Sequence, residues 1–267
     1  MAYATNDGVR IFYEEDGSAD GVPVVFVEGL AYGTWMWNWQ REPLAESYHT
    51  VVLDNRGTGD SDTPEGPYTV AEMAGDVEAV LDDAGLDDVH LVGASLGGMI
   101  AQEYALSSDR VRSLSLLCTT PGGEEAVPIP DETRVRMLDV PEEYGPAETI
   151  RYKMQPAFTD EFVEENTDIV DRIVDWRLET DPSETAYEWQ SAAAGTFDAS
   201  DRLGDLDVPT LVMHGTADRV LPVENAHLLA EALPEAELVT VEGAPHLFFI
   251  ERAERVTAEL RGFLADV

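Results

Sequence analysis

Gly93-Ala94-Ser95-Leu96-Gly97 is the segment of this chain with the clearest chemical potential. The apolar run Val89-His90-Leu91-Val92 precedes it, and Gly98-Met99-Ile100-Ala101-Gln102-Glu103-Tyr104-Ala105-Leu106, a good helix former, follows. A serine on a sharp strand-to-helix turn has its hydroxyl exposed beyond the strand end, at the positive end of the helix dipole. The flanking glycines let neighbouring backbone approach closely. A glycine-rich turn with an incidental serine would also fit the five residues alone. The strand-turn-helix setting is what marks Ser95 as a candidate nucleophile.

A serine hydroxyl is a weak nucleophile and needs a base. Where a serine is presented on such a turn, an acid and then a histidine follow it along the chain. His49 and His90 precede Ser95 and are out of order. His214 ends a strand-like run, with no strong acid candidate at a strand end between it and Ser95. His227 lies in a helical stretch, where a solvated role is the plainer one. His246, in the loop Gly243-Ala244-Pro245-His246 after the last strand-like run, can reach over the strand ends. Asp218 sits in His214-Gly215-Thr216-Ala217-Asp218-Arg219, directly after the run Thr210 to Met213. A carboxylate there can accept the imidazole N–H, fix its tautomer and stabilise the imidazolium. Two backbone N–H groups are needed to hold a developing oxyanion. Leu96 supplies one, and Leu30, in Glu28-Gly29-Leu30-Ala31 after the run ending at Val27, supplies the other.

These residues must be held by strands ending at one place. Pro23 to Val27 is apolar throughout, as a strand buried on both faces should be. Similar runs occur at Thr50–Leu53, Val89–Val92, Leu114–Leu117, Thr210–Met213 and Leu238–Val241. Helical patterns lie between them. Val70, Met73, Val77, Val80, Leu81 and Ala84 form one apolar face, as do Val256, Leu260, Phe263 and Leu264. The alternation predicts an α/β fold, a mostly parallel central sheet with helices on both faces. Residues around Val9 to Tyr13 read as an antiparallel hairpin at the sheet edge. From Gly122 to Phe197 no buried strand is evident, and the segment reads as several helices. The predicted organisation is a core of residues 1–121 and 198–267 with a helical lid, 122–197, inserted in it.

Together these residues resemble the α/β-hydrolase fold superfamily over nearly the whole chain. Asp54-Asn55-Arg56-Gly57-Thr58-Gly59-Asp60-Ser61 is similar to the D-x-R-G-x-G-x-S loop of its small lidded members, and Leu206 to Val212 to the segment entering the acid-bearing strand. Gly97-Gly98-Met99-Ile100-Ala101-Gln102 resembles enol-lactonases and carboxylesterases, and also cofactor-free haloperoxidases. The resemblance implies a serine hydrolase that cleaves a carboxylic ester or lactone through an acyl-enzyme. Perhydrolysis or C–C bond hydrolysis by the same triad is the near alternative, and a non-catalytic ligand receptor on the same fold the distant one. One departure stands out: many members have His-Gly in the oxyanion loop where this chain has Glu28-Gly29. Glu28 is either a hydrogen-bonded structural carboxylate or an added acid, buried with a raised pKa. Trp35, Trp37 and Trp39 cannot all face one pocket from a helix, so core packing or contact with the lid is their expected role. Met154, Phe158, Trp176 and Trp189 either wall an acyl pocket or pack the lid onto the body.

The charge is unusual. Asp and Glu number 54 against 16 Lys and Arg, a formal net of −38, and Lys153 is the one lysine. Such a surface repels nucleic acid and anionic membranes, so neither is an expected partner; a small ester or lactone is. The acids are spread among periodic apolar residues rather than gathered in a tail. That distribution resembles proteins of salt-accumulating halophiles. Cys118 is the only cysteine, and the first residues carry neither a basic nor an apolar signal, which together favour the cytoplasm. Gly57-Thr58-Gly59 lacks the third glycine of a dinucleotide fingerprint, no phosphate-loop lysine follows Gly97-Gly98, and Asp54, Asp60 and Asp62 miss calcium-loop spacing. No cofactor and no metal are expected.

Overall fold

The computed structural model describes all 267 residues. Eight strands form one sheet: β1 (Ala2–Asn6), β2 (Val9–Asp16), β3 (Pro23–Val27), β4 (His49–Leu53), β5 (Val89–Ala94), β6 (Val111–Leu117), β7 (Thr210–Gly215) and β8 (Ala236–Val241). Their spatial order is β1-β2-β4-β3-β5-β6-β7-β8. β1 and β2 form the expected edge hairpin, turned by Asp7 and Gly8 at φ 49° and 89°. Asp-Gly suits that turn because both central residues need positive φ. β2 meets β4 antiparallel, and every pairing from β4 to β8 is parallel.

The helices are α1 (Asn38–Ala45), α2 (Val70–Ala84), α3 (Leu96–Ser107), α4 (Asp131–Leu138), α5 (Pro146–Met154), α6 (Asp160–Glu165), α7 (Thr167–Thr180), α8 (Glu184–Thr196), α9 (Glu224–Ala232), α10 (Phe248–Glu251) and α11 (Ala253–Asp266). α2 shows why such segments become helices here. Thr69 and Glu72 cap its start reciprocally, and Gly85 at φ 69° ends it in the left-handed conformation an L side chain disfavours. Its buried stripe is Met73, Val77, Val80 and Leu81.

Alternate residues of a strand feed opposite faces of the sheet. In β3, Val25 and Val27 join the cluster formed with α2, α3 and α9, whereas Val24 and Phe26 join that formed with α1 and α11. The sheet is therefore covered on both faces, as the unbroken apolar runs predicted. β8 differs from its predicted burial: only Val241 of that strand is fully buried. It lies at the sheet edge, so a run that reads as core has one side open.

Between β6 and β7 the chain leaves the sheet and forms α4 to α8. This insertion docks by aromatic contacts. Trp176 of α7 stacks on Trp35 at 5.3 Å between centroids and meets Trp39 edge-on at 6.1 Å. Trp189 of α8 packs on Tyr68 at 5.3 Å. Trp37 turns the other way, between Phe26 and Phe249 in the core. The three tryptophans thus splay, two toward the insertion and one inward. Met154 and Phe158 are buried packing residues, Phe158 stacked on Phe162.

Candidate active site

Because β3 to β8 run parallel, the loops that leave their C-terminal ends share one edge of the sheet. Ser95 follows β5, Asp218 follows β7, and His246 follows β8. In an open parallel sheet this edge is where a ligand crevice forms.

Ser95 holds φ 54° and ψ −119°, a region costing on the order of 1–3 kcal/mol for a residue with a side chain. Its surroundings fix that conformation. Its N–H donates to Leu117 C=O at 2.9 Å, and its carbonyl accepts from Thr119 Oγ1 at 2.7 Å and Gly98 N–H at 3.0 Å. The flanking glycines are sterically required. A Cβ on Gly97 would lie 2.1 Å from Val27 O, and one on Gly93 would lie 2.2 Å from Gly97 O. The helix can start beside β3 only because both side chains are absent.

Asp218 and His246 are joined: His246 Nδ1 lies 2.7 Å from Asp218 Oδ2, with both residues buried. Asp218 Oδ1 accepts the N–H groups of Val220 and Leu221 at 2.7 and 2.9 Å. Burial pushes this carboxyl up, but attraction to His246 and the hydrogen bonds from His214 and His246 outweigh it and hold the group well below the usual carboxylate range. Asp218 therefore stays ionised, and its bond to Nδ1 leaves Nε2 of His246 available as a base. No hydrogen bond joins Ser95 Oγ to His246 in this structure; such contacts often tighten only around bound substrate.

The backbone N–H of Leu30 donates to no group within the chain. That of Leu96 is the first of α3, with no carbonyl of its own helix to donate to. Gly29 and Ser95 are adjacent, a Cβ on Gly29 falling 3.5 Å from Ser95 Cβ. Gly29, which precedes Leu30, and Leu96 thus both adjoin the serine.

Glu28 is fully buried. Its Oε1 accepts the Asn55 N–H and its Oε2 has no partner. Burial, with Asp54 beside it, pushes its carboxyl well above the usual range. Asp54 is buried too and raised to about 6 by that burial, despite accepting Thr34 N–H at 2.7 Å and Asp60 N–H at 2.9 Å. Glu28 is thus both hydrogen-bonded and raised. The loop from Asp54 to Ser61 is latched to the body by Arg56, bidentate on Asp76 at 2.7 Å, and by Ser61, whose Oγ takes the Phe12 N–H at 2.8 Å.

Two further residues lie near this edge: His214, which the sequence offered as a base and order set aside, and Gln190, which carried no sequence signal. His214 has its Nε2 2.8 Å from Leu221 O and 3.1 Å from Asp218 Oδ2. The acid sequence reasoning sought before His214 stands four residues after it. Gln190 of α8 is the other: it is fully buried and bonds the Ala31 N–H and the loop at Arg56 and Thr58. The other histidines lie elsewhere. His49 pairs with Glu15 at 2.8 Å, His90 pairs with Ser113 at 2.7 Å, and His227 is exposed on α9.

The insertion also touches the acid and base loops. Arg219, next to Asp218, donates to Gln155 O and Phe158 O at 3.1 and 2.9 Å. Leu247, next to His246, donates to Ala157 O at 2.9 Å.

Comparison with known proteins gives the same outline. Residues 22–253 match the family model described as the alpha/beta hydrolase fold. A protein of Azorhizobium caulinodans named as a carbamate hydrolase is 29% identical, the match covering 100% of this chain and 99% of that one. A non-heme chloroperoxidase of Streptomyces lividans is 30% identical, with 97% and 98% covered. The crystal structure of the enol-lactonase from Burkholderia xenovorans LB400 superposes with a TM-score of 0.87 at 26% identity, covering 99% of this chain and 100% of that chain.

Proposed function

The chain belongs to the α/β-hydrolase fold family, and from that premise we propose that it is a serine hydrolase cleaving a carboxylic ester or lactone through an acyl-enzyme on Ser95. The observation that carries the reading is a strained serine at the end of β5, across the same sheet edge from a buried Asp218–His246 pair at 2.7 Å. Ser95 Oγ attacks the carbonyl carbon, and Nε2 of His246 takes its proton. The carbonyl electrons become an oxyanion, which the N–H groups of Leu30 and Leu96 hold. The intermediate collapses to the acyl-enzyme as His246 returns the proton to the leaving alcohol. Water, activated by the same imidazole, then hydrolyses the ester. Asp218 remains ionised and orients the ring throughout. The insertion from α4 to α8 acts as the lid over this edge.

The test is turnover of short p-nitrophenyl esters in molar salt with Ser95→Ala as control. Loss of the nucleophile should lower kcat by about 10³-fold or more. Unchanged turnover in that variant rejects the mechanism.

A second reading uses the same residues. The similarity to a chloroperoxidase favours testing hydrogen peroxide in place of water as the acyl acceptor, which would release a peracid. A panel of esters, lactones, carbamates and peroxide-driven halogenation separates these outcomes.

A further inference from the structure

The oxyanion loop is not held by the sheet alone. Gly29-Leu30-Ala31-Tyr32 forms a β-turn closed by Tyr32 N–H to Gly29 C=O at 3.3 Å. Ala31 occupies its third position at φ 67°, and Leu30 before it does not have positive φ. These are the features of a type II turn, whose third position favours glycine because it lies in the left-handed region. An alanine there would relax to the type I form, in which the central peptide, carrying the Leu30 carbonyl and the Ala31 N–H, is turned over and the backbone at Leu30 must readjust around it. Something must hold that peptide against the preference.

Gln190 is the side chain that does. It reaches in from α8, fully buried, and its Oε1 accepts the Ala31 N–H at 3.1 Å. Its Nε2 donates to Arg56 C=O at 2.9 Å and to Thr58 Oγ1 at 2.7 Å. The amide orientation follows from its partners. Turned over, the –NH₂ would face the Ala31 donor and the carbonyl would face the Arg56 carbonyl, so only one assignment satisfies every group. The far end is firmly anchored, since Arg56 is clamped on Asp76 and Gly59 N–H donates to Thr180 O at 2.9 Å.

We propose that Gln190 is a positioning residue that locks the turn presenting the Leu30 N–H, making the helical insertion part of the oxyanion machinery. The proposal rests on the reading of Ser95 as nucleophile and Leu30 as oxyanion donor. Gln190 touches no reacting atom. It acts through the turn, so its loss should weaken the transition state more than the bound ester.

The experiment compares wild type with Gln190→Met, similar in length but unable to make any of the three bonds. Active sites are counted first by labelling Ser95 to completion with a fluorophosphonate. Per labelled site, kcat for p-nitrophenyl butyrate should fall about ten- to hundredfold, less than or equal to the loss of a whole oxyanion donor, while KM stays within about threefold. The Ki of a trifluoromethyl ketone should rise by a similar factor. That probe adds Ser95 Oγ to its carbonyl carbon, sends the serine proton to His246 and leaves an oxyanion in the hole. Ala31→Gly in the Gln190→Met background should recover part of the lost kcat, because glycine keeps positive φ without help. A residue that merely packs the insertion would reduce the labelled fraction and leave per-site kcat and Ki unchanged, and that result overturns the proposal. Should Gln190→Met not fold, Thr58→Val removes one anchor of the amide with little change of shape. It should lower per-site kcat about two- to fivefold, and an unchanged value rejects the lock. Failure of the underlying reading looks different: the wild type itself would not label at Ser95.

Discussion

Glu28 stands where the resemblance led us to expect a histidine, and its surroundings explain how an acid fits there. One oxygen takes the Asn55 N–H, the other has no partner, and Asp54 is close enough to raise it further. A carboxyl in that position is easiest to keep when protonated. The consequence for stability has a definite sign. The folded pKa lies above the ordinary value of 4.5, so the folded state binds the proton more tightly than the unfolded chain does. Stability from this group is full below pH 4.5 and is lost as pH rises toward the folded pKa, at up to about 1.4 kcal/mol per pH unit. Glutamine has no proton to lose and can still accept from Asn55. Glu28→Gln should therefore change stability little near pH 4.5 and raise it increasingly as pH climbs above that value. Denaturant melts of the two proteins at and above that pH check this, and a pH-independent difference would show that Glu28 does not titrate in that range. Glu28 also marks a limit of reading by residue. Sequence alone offered two roles for it and could not choose, because both burial and the Asn55 contact are made by the fold. The placement of Ser95, Asp218 and His246 at one sheet edge was legible for the opposite reason: each lies in the turn or loop that follows a strand with an apolar run. Gln190 carries no such signal. It is a polar residue in a helix, 159 positions from the Ala31 it holds.

The elements were legible where burial is complete. β3 and β7 begin where their apolar runs begin, whereas β6 begins three residues before its predicted run, at Val111. Polar Arg112 and Ser113 interrupt the hydrophobic signal there although the backbone already pairs with β5. Packing between elements is harder to read, since it depends on which backbones touch. The meeting of β3 and α3 is the sharpest instance, because the Gly29–Tyr32 turn follows one and Ser95 precedes the other. A methyl group at Gly97 would enter the Val27 carbonyl. Gly97→Ala should force α3 away from β3, destabilising the protein by about 1–3 kcal/mol and disturbing Ser95 and Leu30 together. Gly195, in the last turn of α8, gives the matched contrast, since a methyl group added there would have nothing within 4 Å of it. Gly195→Ala should stabilise by about 0.5–1 kcal/mol through helix propensity alone. Chemical melts of both variants with ester turnover alongside test the pair. Equal effects at the two glycines would show that close approach at Gly97 is not what the motif requires.

At the scale of the whole molecule the charge is the feature that folding does not explain. Most of the positive groups are already paired with carboxylates. Arg110 alone contacts Glu78, Asp82 and Asp87, Arg41 contacts Glu14 and Asp16, and Arg177 is paired with Asp181. With 54 acids and 16 bases, most carboxylates have no cation within the chain, and even paired ones such as Asp87 and Asp131 are almost wholly exposed. Their mutual repulsion opposes the compact state, which brings them closer than the unfolded chain does. Salt should relieve it. The screening length falls from about 10 Å at 0.1 M to about 3 Å at 1 M, shorter than most separations between surface charges. We therefore expect the melting temperature to rise on the order of 10 °C between 0.1 and 2 M KCl, equivalent to several kcal/mol for a domain of this size. Most of the gain should fall below about 1 M, where the screening length changes most. That shape separates screening from the general strengthening of apolar burial by excluded salts, which continues to rise with concentration. The aromatic docking of the insertion makes a second readout possible. Trp176 stacks between the body and α7, where Arg172 also lies over its ring at 5.9 Å, so tryptophan fluorescence should report the insertion settling onto the sheet edge as salt is added. A melting temperature independent of KCl, or one that climbs linearly to saturation, would mean that self-repulsion is not what limits this fold.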